Sequence, residues 1–443
     1  MTPLEAVAQY VGQQPDVSKY CVAYSGGMDS HVLLWLMSCV QRSDSAIKLR
    51  AIHVDHGLQR DSARWAKHAT QVCRDLEIPL TVLDAQVVAS GDGPEAGARL
   101  ARYEQFSDNL QDNEQLLLAQ HAEDQAETFL LQALRGSGID GLAGIPRKRR
   151  FSAGFMVRPL LGCSQESLRE LAREQSLQWI EDPSNQDTRL DRNYLRLNVM
   201  PILQARWPAS AQTLSRSASR SAAASQTLIG LGEQDLLSVR VPGAGELSLT
   251  ALAALPRERA FVVLRLMVRE RGWRMPRMQD LLQVMSDLVE ARHDSNGIVN
   301  ARDYVFRRHK DNLYLMQDAD EAQPYEIEWF SPFAPLAVTE AGLTLTTAAA
   351  EQQGICLPDG AQVIVKSRVG GELIKLGEPA FHKAVKKLLQ ETTIPPWVRD
   401  TIPLVYVDGS LAAVWGVAVA VDSRLPPASA LVRDQQRSAI DRS

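Results

Sequence analysis

Short apolar runs alternate with longer segments of helical spacing through the N-terminal part of the chain. The apolar runs cover residues 20–24, 49–54, 80–83 and 115–119. The segments with helical spacing cover residues 29–40, 62–76, 95–110 and 124–134. Strands that alternate with helices predict an α/β fold with a doubly wound parallel sheet. Because such sheets bind ligands at the carboxyl ends of their strands, we expect the functional residues there.

The pattern changes after Pro201. A stretch rich in Ser and Ala, residues 209–224, predicts a long exposed linker helix, and more helical sequence follows it. Polar breaks at 293–297 and 318–326 separate this part from β-rich sequence with one predicted helix at 383–390. The predicted domains are an α/β domain at 1–218 that includes the linker helix, a mostly helical domain at 219–326 and a β-rich α+β domain at 327–443.

Composition and charge narrow the class of protein. The net charge is −5, so any binding of nucleic acid must depend on local basic clusters. The five cysteines are scattered without a Cys-x-x-Cys pair, which argues against a disulfide framework and a zinc ribbon. The apolar stretch 404–421 is interrupted by Asp408 and Gly409 and predicts two strands with a turn. We expect a cytoplasmic protein without a membrane partner; the oligomeric state is open, with a homodimer as one option.

The strongest local motif lies between the first predicted strand and the first predicted helix. It consists of Ser25, Gly26, Gly27, Met28, Asp29 and Ser30. Two glycines permit a tight turn, and backbone N–H groups ahead of a helix bind anions. Asp29 would repel phosphate unless a cation lay between them, which indicates Mg²⁺. The complete string therefore favours a phosphate-binding loop over an ordinary helix cap, although it is not a Walker A loop.

A second polar cluster closes the second predicted strand and contains His53, Asp55 and His56. Any one of these residues taken alone is more often a polar cap of a strand than a ligand-binding group. Their place beside the phosphate loop favours contact with the nucleoside part of a nucleotide. A zinc site is disfavoured because His53 and Asp55 point to one side of a regular strand and His56 to the other.

Two pairs of charged residues lie three positions apart on predicted helices. Arg99 and Arg102 share a face and could bind phosphate or stabilise charge in a transition state. The alternative is a solvated face on which Glu95 pairs with Arg99. Asp124 and Glu127 could serve a metal ion or receive an ammonium group, or Asp124 could cap the helix with Glu127 completing a capping box. The residues alone leave these alternatives open.

The motifs resemble known families at two levels. The loop at 25–30 resembles the PP-loop of the N-type ATP pyrophosphatases, which cleave ATP between its α and β phosphates. The whole set of motifs is similar to one family of that class, the tRNA(Ile)-lysidine synthetases. The further strings that resemble this family are 135–138 (RGSG), 141–146 (GLAGIP), 157–161 (VRPLL), 179–185 (WIEDPSN), Arg192, Asn193, Arg196, 395–400 (PPWVRD) and 413–416 (AVWG). The chain departs from the pattern of this family at Glu123, where the family usually has aspartate, and at Gly97, where the family usually has alanine.

The resemblance implies a reaction and its participants. That family ligates lysine to C2 of the wobble cytidine in the CAU anticodon of tRNA(Ile), which changes codon specificity from AUG to AUA and amino-acid identity from Met to Ile. ATP adenylates O2 of the cytidine with release of pyrophosphate, and the lysine ε-amine then displaces AMP. The implied substrates are ATP, L-lysine and tRNA(Ile), with Mg²⁺ managed by Asp29 and Asp124. The implied catalytic residues are Asp29, Arg99, Arg102, Asp124 and Glu127.

The same resemblance implies roles for the remaining residues. The loop at 25–30 holds the pyrophosphate part of ATP, and Glu127 holds or deprotonates the lysine amine. The middle domain recognises tRNA and the C-terminal domain binds it. The residues predicted to contact tRNA are Arg147, Lys148, Arg192, Asn193, Arg196, Lys386, Lys387 and Arg399.

Two other functions compete with this one. Another PP-loop enzyme is disfavoured because the paired cysteines of sulfur-transferring members and an N-terminal glutaminase cysteine are both missing from the sequence. A non-catalytic tRNA-binding protein on a degenerate nucleotide fold should have lost Asp29, a loop serine or an arginine, and all are present. A pyrophosphate-release assay distinguishes that second alternative from an enzyme.

Overall fold

A computed structural model describes residues 2–55, 62–84, 94–241, 246–291, 297–317, 323–331, 333–348, 355, 357, 360–377, 379–392, 394–423 and 430–431. The chain forms two compact units, which we call unit 1 (Met1–Thr227) and unit 2 (Leu228–Ser443). The three-domain division at 218 and 326 stays a prediction, because a finer division than these two units is not resolved.

Unit 1 contains the four strands and the four helices that the sequence pattern predicts up to residue 134, together with two further strands and several further helices. Its strands are β1 Lys19–Ala23, β2 Lys48–Asp55, β3 Leu80–Asp84, β4 Glu114–Leu117, β5 Lys148–Phe151 and β6 Gly154–Val157. Its helices are α1 Pro3–Gly12, α2 Met28–Ser43, α3 Ser62–Asp75, α4 Pro94–Asn109, α5 Ala122–Leu134, α6 Ile139–Leu142, α7 Gln165–Glu174, α8 Asp191–Tyr194 and α9 Met200–Arg206, with a 3-10 turn at Pro183–Gln186 and a π-helical turn at Leu195–Val199. The helix α10, Ser210–Val239, is much longer than the predicted linker helix.

The six strands form one sheet in the order β3-β2-β1-β4-β6-β5. All neighbouring pairs are parallel except β5 with β6, which form an antiparallel hairpin at one edge. The predicted doubly wound parallel sheet is therefore confirmed, with an antiparallel edge strand that the sequence pattern did not reveal. The chain order reverses between β1 and β4, and in such sheets ligands bind at this switch point.

Two apolar cores cover the two faces of the sheet. Tyr20 and Val22 of β1 belong to the larger core, which also contains residues of α1, α2, α3 and α7. Cys21, between them, belongs to a smaller core with Phe106 of α4 and Met156 of β6. Successive residues of a strand point to opposite faces, so this alternation on β1 shows that helices cover both sides of the sheet.

Unit 2 contains a helical and sheet part followed by a β-rich part. Its first elements are β7 Leu247–Ser248, α11 Leu249–Ala253, α12 Arg257–Glu270, α13 Met278–Val284 with a π-helical turn at Met285–Val289, β8 Ile298–Ala301, β9 Tyr304–His309 and β10 Asn312–Gln317. The later elements are β11 Glu326–Trp329, β12 Leu336–Val338, a 3-10 turn at Thr339–Ala341, β13 Leu343–Leu345, β14 Thr347–Ala348, β15 Val363–Lys366, β16 Leu373–Leu376, β17 Phe381–Ala384, α14 Val385–Glu391, α15 Pro396–Arg399, β18 Leu404–Val407, β19 Ser410–Val414, β20 Ala418–Val419, a 3-10 turn at Val421–Ser423 and β21 Ala430–Leu431.

Antiparallel pairing dominates unit 2. One sheet has the order β7-β10-β9-β8, and a second has the order β11-β15-β18-β19-β20. The predicted pair of strands with a turn after residue 404 is confirmed as β18 and β19. The helix predicted at 383–390 begins later, at Val385, because the residues before it pair as β17 with β16. Among the described residues, no helix is long and apolar enough to cross a membrane.

Candidate active site

The phosphate loop follows β1 and leads directly into α2. Gly26 adopts φ +87, a left-handed conformation that favours glycine. The hydroxyls of Ser25 and Ser30 lie 3.0 Å apart, and Ser30 Oγ donates to the carbonyl of Gly27 at 2.9 Å. These bonds close the loop on itself and hold it as a short anion-binding turn at the start of a 16-residue helix.

Residues near position 180, far along the chain, make hydrogen bonds to the phosphate loop and to the helix that follows it. The N–H of Ile180 donates to the carbonyl of Gly26 at 3.0 Å. On the first turn of α2, Nδ1 of His31 lies 2.9 Å from the carbonyl of Gln178. A Cβ on Gly26 would lie 3.6 Å from Ile180 Cδ1, so the positive φ rather than a clash requires glycine there. The string at 179–185 thus contributes structure to the phosphate loop.

His121 joins the loop to the end of the neighbouring strand β4. Its Nε2 lies 3.6 Å from Asp29 Oδ2 and 3.5 Å from Asp124 Oδ2, and its Nδ1 lies 3.0 Å from Glu123 Oε2. The helix α5 begins at Ala122, so His121 is its N-cap residue and Asp124 lies within its first turn. The predicted alternative in which Asp124 itself caps the helix is therefore wrong: Asp124 Oδ2 accepts the backbone N–H of His121 at 3.0 Å.

The acidic neighbours of His121 determine its charge. Burial alone would lower the pKa of His121, whose exposed fraction is 1%. The carboxylates of Asp124, Asp29 and Glu123 outweigh burial and raise this pKa to about 10. His121 is therefore a cation at neutral pH, and it keeps three carboxylates close together at the switch point.

Two arginines from a later segment bind the carboxylates of α5. Asp124 Oδ1 accepts from Nη2 of Arg192 and Nη2 of Arg196, both at 3.0 Å. Glu127, 1% exposed, accepts from Arg192 Nε at 2.9 Å and from Arg196 Nε at 2.7 Å. Burial alone would raise the pKa of Asp124, but the charges of His121, Arg192 and Arg196 lower it. Asp124 therefore stays ionised, and the two arginines hold both carboxylates in place.

The donor set of this cluster fits Mg²⁺ held together with phosphates. Asp29 Oδ1 is buried and has no hydrogen-bond partner among the described residues. Among those residues, no group of three or more His, Cys, Asp and Glu side chains could hold a metal ion by itself. Mg²⁺ commonly uses one or two carboxylates with substrate phosphates and water, so Asp29 suffices as an anchor. As a ligand for the metal ion, Asp124 is less available than Asp29, because both of its carboxylate oxygens already accept hydrogen bonds within the chain.

The second polar cluster lies on β2, next to β1. His53 is 3% exposed, and its Nδ1 lies 2.9 Å from the carbonyl of Tyr24, directly before the phosphate loop. Asp55 ends β2 and is half-buried. His56 lies outside the described residues. The structure thus brings His53 against the backbone that leads into the loop, while contact of these residues with a nucleotide stays a prediction.

The two arginines of α4 differ in exposure. Arg99 is exposed, with Cζ 5.4 Å from the centre of the Tyr103 ring, whereas Arg102 is half-buried. The side chain of Glu95, the alternative partner of Arg99, lies outside the described residues. The basic run that includes Arg147 and Lys148 is exposed, and Lys148 begins the edge strand β5, with its Nζ 2.8 Å from Gln14 Oε1.

The other residues predicted to contact RNA lie in different surroundings. Asn193 is buried and donates to the carbonyls of Ser184 and Asp187, both at 3.0 Å. In unit 2, Lys386 and Lys387 are exposed on α14. Arg399 is half-buried, and its Nε donates to the carbonyl of Ile394 at 2.9 Å. Contact of these residues with RNA stays a prediction.

Sequence reasoning gave no role to His121 or Arg158. The available signal for His121 is its place shortly after the buried strand β4, at the start of a helix whose first turn carries Glu123 and Asp124. Arg158 belongs to the string at 157–161 and directly follows the strand β6, which the pattern did not predict. A strand as short as β6 shows little periodicity, and so its carboxyl end was not recognised as part of the ligand-binding edge.

Comparison with known proteins adds three family models that match consecutive parts of the chain. A PP-loop domain matches residues 3–203. A TilS substrate binding domain matches residues 247–314, and a TilS substrate C-terminal domain matches residues 363–433. The first of these models covers the sheet of unit 1 together with the phosphate loop, α5 and the two arginines that bind its carboxylates.

Curated relatives match over nearly their whole length. The tRNA(Ile)-lysidine synthase of Coxiella burnetii is 39% identical over 427 residues, which cover 94% of this chain and 92% of that protein. The protein of the same name from Legionella pneumophila (strain Paris) is 36% identical over 93% of this chain and 94% of its own length. That from Methylococcus capsulatus is 36% identical over 90% and 91%, respectively. The similarity therefore extends through both units.

Proposed function

The chain belongs to the tRNA(Ile)-lysidine synthase family, and from this premise we propose how its residues carry out the reaction. It is a ligase that forms lysidine on tRNA(Ile) while ATP is converted to AMP and diphosphate. One observation supports this function best: the phosphate loop after β1 and the charged first turns of α5 after β4 meet at the switch point of the sheet.

The chemistry requires two steps at one place. The C2 carbonyl of cytosine is a poor electrophile, so transfer of AMP from ATP to O2 first creates a leaving group. The lysine ε-amine then attacks C2 and expels AMP. The loop residues from Ser25 to Ser30 bind the pyrophosphate part of ATP through backbone N–H groups and hydroxyls. The wobble cytidine enters from a single-stranded loop, where unstacking costs less than in a duplex.

Asp29 anchors the metal ion in this proposal. Mg²⁺, when bound, neutralises phosphate charge and polarises the α-phosphate toward attack. Asp29 Oδ1 is buried and has no hydrogen-bond partner among the described residues, while His121 Nε2 lies 3.6 Å from Oδ2. The basic side chains of Arg99 and Arg102 stabilise charge that develops on phosphate or on the adenylated base.

Glu127 receives the ammonium group of lysine. Lysine attacks only as a neutral amine, and its ordinary pKa is ~10.4, so a nearby group must take up its proton. A carboxylate offers about four acceptor positions, and the two arginines use only part of those on Glu127. Arg192 and Arg196 hold Glu127 and Asp124 in a fixed orientation for this step.

The remaining proposals concern partners and location. The domains at 219–326 and 327–443 bind tRNA(Ile), with Lys386, Lys387 and Arg399 as contacts in the C-terminal domain. Because this substrate is a tRNA, we place the enzyme in the cytoplasm. A homodimer stays an option for its oligomeric state.

The test is lysine transfer by Asp29→Ala. With ATP, Mg²⁺ and an unmodified tRNA(Ile) transcript, we expect incorporation of labelled lysine to fall by about 100-fold or more, because an electrostatic group at the reacting centre is lost. Binding of tRNA should be unchanged. Asp16→Ala, which removes an exposed carboxylate from a loop of the same unit, is the control and should retain full activity.

Two results would contradict the proposal. Transfer at the wild-type rate by Asp29→Ala would refute the metal assignment. Wild-type protein that releases pyrophosphate in the presence of RNA, but transfers no lysine, would leave an adenylating enzyme with another nucleophile.

A further inference from the structure

A buried arginine without an acidic partner lies at the ligand-binding edge of unit 1. Arg158 directly follows β6 and is 3% exposed. Its guanidinium donates to Gln120 Oε1, to the carbonyl of Pro146 at 2.9 Å and to Met156 Sδ at 3.1 Å. All three acceptors are neutral, and no carboxylate among the described residues pairs with Arg158. A buried guanidinium is costly unless an opposite charge compensates it.

Two further guanidinium groups lie beside the ring of one tyrosine, Tyr103. Cζ of Arg99 lies 5.4 Å and Cζ of Arg149 5.3 Å from the centre of the Tyr103 ring. Tyr103 also lies near Arg158 and acts to raise the pKa of its guanidinium. We call Arg99, Tyr103, Arg149 and Arg158 the arginine cluster. It joins α4 to the β5–β6 hairpin.

The three guanidinium groups of the arginine cluster repel one another. Burial lowers the pKa of Arg158 to about 10, and the charges of Arg149 and Arg99 add to this effect, while Tyr103 opposes it. Neither Arg99 nor Arg149 forms an ion pair with a described carboxylate. Three like charges that converge without a counter-charge lose much of their mutual repulsion when an anion binds between them.

The position of the arginine cluster relative to the phosphate loop indicates which anion the cluster binds. In the sheet, β6 lies beside β4, and β4 lies beside β1, so Arg158, which follows β6, lies about two strand spacings, ~10 Å, from the strand that leads into the phosphate loop. In the proposed function, the phosphate loop already binds the phosphates of ATP. The cluster lies at the same edge but beyond it, where a second phosphate-bearing molecule would approach.

The edge strand extends the positive charge away from the cluster. Lys148, Arg149 and Arg150 of β5 are all exposed. Nζ of Lys148 lies 4.5 Å from the centre of the Phe155 ring, which is 38% exposed. Consecutive cations beside an exposed aromatic ring are typical of surfaces that follow a single nucleic-acid strand.

We propose that the arginine cluster binds one phosphodiester of the RNA substrate and thereby holds the neighbouring base at the carboxyl ends of β1 and β4. This inference rests on the proposed function, because it takes the phosphodiester to belong to the RNA that is modified. Tyr103 orients the guanidinium groups, and β5 guides the strand that leads away from the bound phosphate.

Binding of a fluorescent anticodon stem–loop RNA, measured against salt concentration without ATP or lysine, tests the proposal. We expect Arg149→Ala to weaken binding about tenfold and to reduce the salt slope by about 0.7 to 1, the contribution of one phosphate contact. Arg149→Lys should keep the slope but weaken binding, because its charge remains while the planar fork is lost. Arg173→Ala is the control, since Arg173 is exposed on α7 of the same unit and pairs with Glu166.

A second variant tests the buried member. Arg158→Gln removes the charge and keeps a polar side chain, and its thermal midpoint is compared with that of the wild type before binding is measured. With an unchanged midpoint, we expect the same loss of affinity and slope as in Arg149→Ala. Arg149→Ala, which alters an exposed residue, gives a result even where Arg158→Gln does not fold.

Three outcomes would overturn the proposal. Unchanged affinity and slope in Arg149→Ala would exclude a phosphate contact. Equal losses in Arg149→Ala and Arg150→Ala would indicate diffuse attraction along β5 instead of a defined site. A raised KM for ATP with unchanged RNA binding would assign the cluster to the nucleotide. Because the assay needs no catalysis, wild-type protein that bound the RNA but transferred no lysine would refute the proposed function alone.

Discussion

In the candidate active site, charged side chains of alternating sign are linked by a continuous series of contacts. The series begins at Asp29, passes through the imidazole of His121 to Asp124, and ends where Arg192 and Arg196 bind Glu127. Each carboxylate in it has a cationic neighbour, and each buried charge is partly compensated. Groups held in this way need little reorganisation when charge develops in a transition state.

Removal of Arg196 should therefore affect both stability and catalysis. In Arg196→Ala, buried Glu127 loses two of its charged hydrogen bonds, so we expect a loss of about 2 kcal/mol in stability and at least a tenfold fall in kcat for lysidine formation. Calorimetry and single-turnover lysine transfer measure the two effects. Arg189→Ala is the control, because Arg189 is 89% exposed and its pair with Asp187 lies in solvent. Similar results for both variants would contradict a positioning role for Arg196.

At the scale of elements, the β5–β6 hairpin extends the sheet beyond the predicted strands. Gly154 begins β6, and a Cβ added there would lie 2.0 Å from the backbone oxygen of Glu114 on β4. Only glycine permits this close approach of the two strands. The hairpin carries both Arg149 and Arg158, so its attachment to β4 places the arginine cluster at the ligand-binding edge.

Gly154→Ala should detach this hairpin. Because the added methyl meets backbone that cannot move without breaking the β4–β6 pairing, we expect a loss of about 3 kcal/mol in stability. Hydrogen exchange of the amides of β4 and β6 should increase in the same variant. Gly162→Ala is the matched control, since a Cβ at Gly162 would meet no atom within 4 Å. Equal thermal midpoints for the two variants would show that the strands can separate without cost.

The start of α13 in unit 2 should make stability depend on pH. Asp280 is buried and accepts from the N–H of Arg277 at 2.8 Å and from its Nη2 at 2.9 Å. Burial alone would raise the pKa of Asp280, but these bonds lower it below its ordinary value of 3.8. The folded state therefore holds its proton less tightly than the unfolded state, and the resulting stability is present above the unfolded pKa and lost as pH falls through the folded pKa.

Asp280→Asn measures this contribution. The difference in thermal midpoint between wild type and variant should be complete near neutral pH and should shrink as pH falls below 3.8. Calorimetric scans over that range give the result. A difference that stays constant or grows on acidification would show that the carboxylate charge does not stabilise the helix.

At the scale of the whole molecule, an acidic protein binds a polyanion. The net charge of −5 opposes tRNA at long range, so binding must depend on local basic surfaces. The exposed pair Lys386 and Lys387 on α14 is one such surface in unit 2, and β5 is another in unit 1. Each surface is expected to contribute its own part of the salt dependence.

Lys386→Ala combined with Lys387→Ala should weaken binding of full-length tRNA and lower its salt slope by about 1.5, the value for two phosphate contacts. Binding of the anticodon stem–loop should change less, if the C-terminal domain contacts tRNA outside the anticodon. The control removes Lys366 and Lys375, which pair with Glu326 and Asp422 and so have less charge to offer. An unchanged slope in the first variant would remove α14 from the RNA interface.

Local features of this protein can be predicted from its amino-acid sequence alone. The string at 25–30 predicts a phosphate-binding turn, because two glycines between a strand and a helix permit a tight turn whose backbone N–H groups can bind an anion. Alternation of apolar runs with helical spacing specifies a doubly wound sheet, and this implies that Asp29 and Asp124 share an edge. The family resemblance, based on strings from both units, supplied the reaction.

Which of these residues meet depends on the folding of distant segments against one another. Arg192 and Arg196, predicted from the sequence to contact RNA, bind Asp124 and Glu127, which lie more than sixty positions earlier in the chain. Arg158 reaches the ligand-binding edge because β6 pairs with β4. Periodicity records which face of an element is buried but contains no information about strand order or about which distant segment packs beside it, and those contacts follow from the folded chain alone.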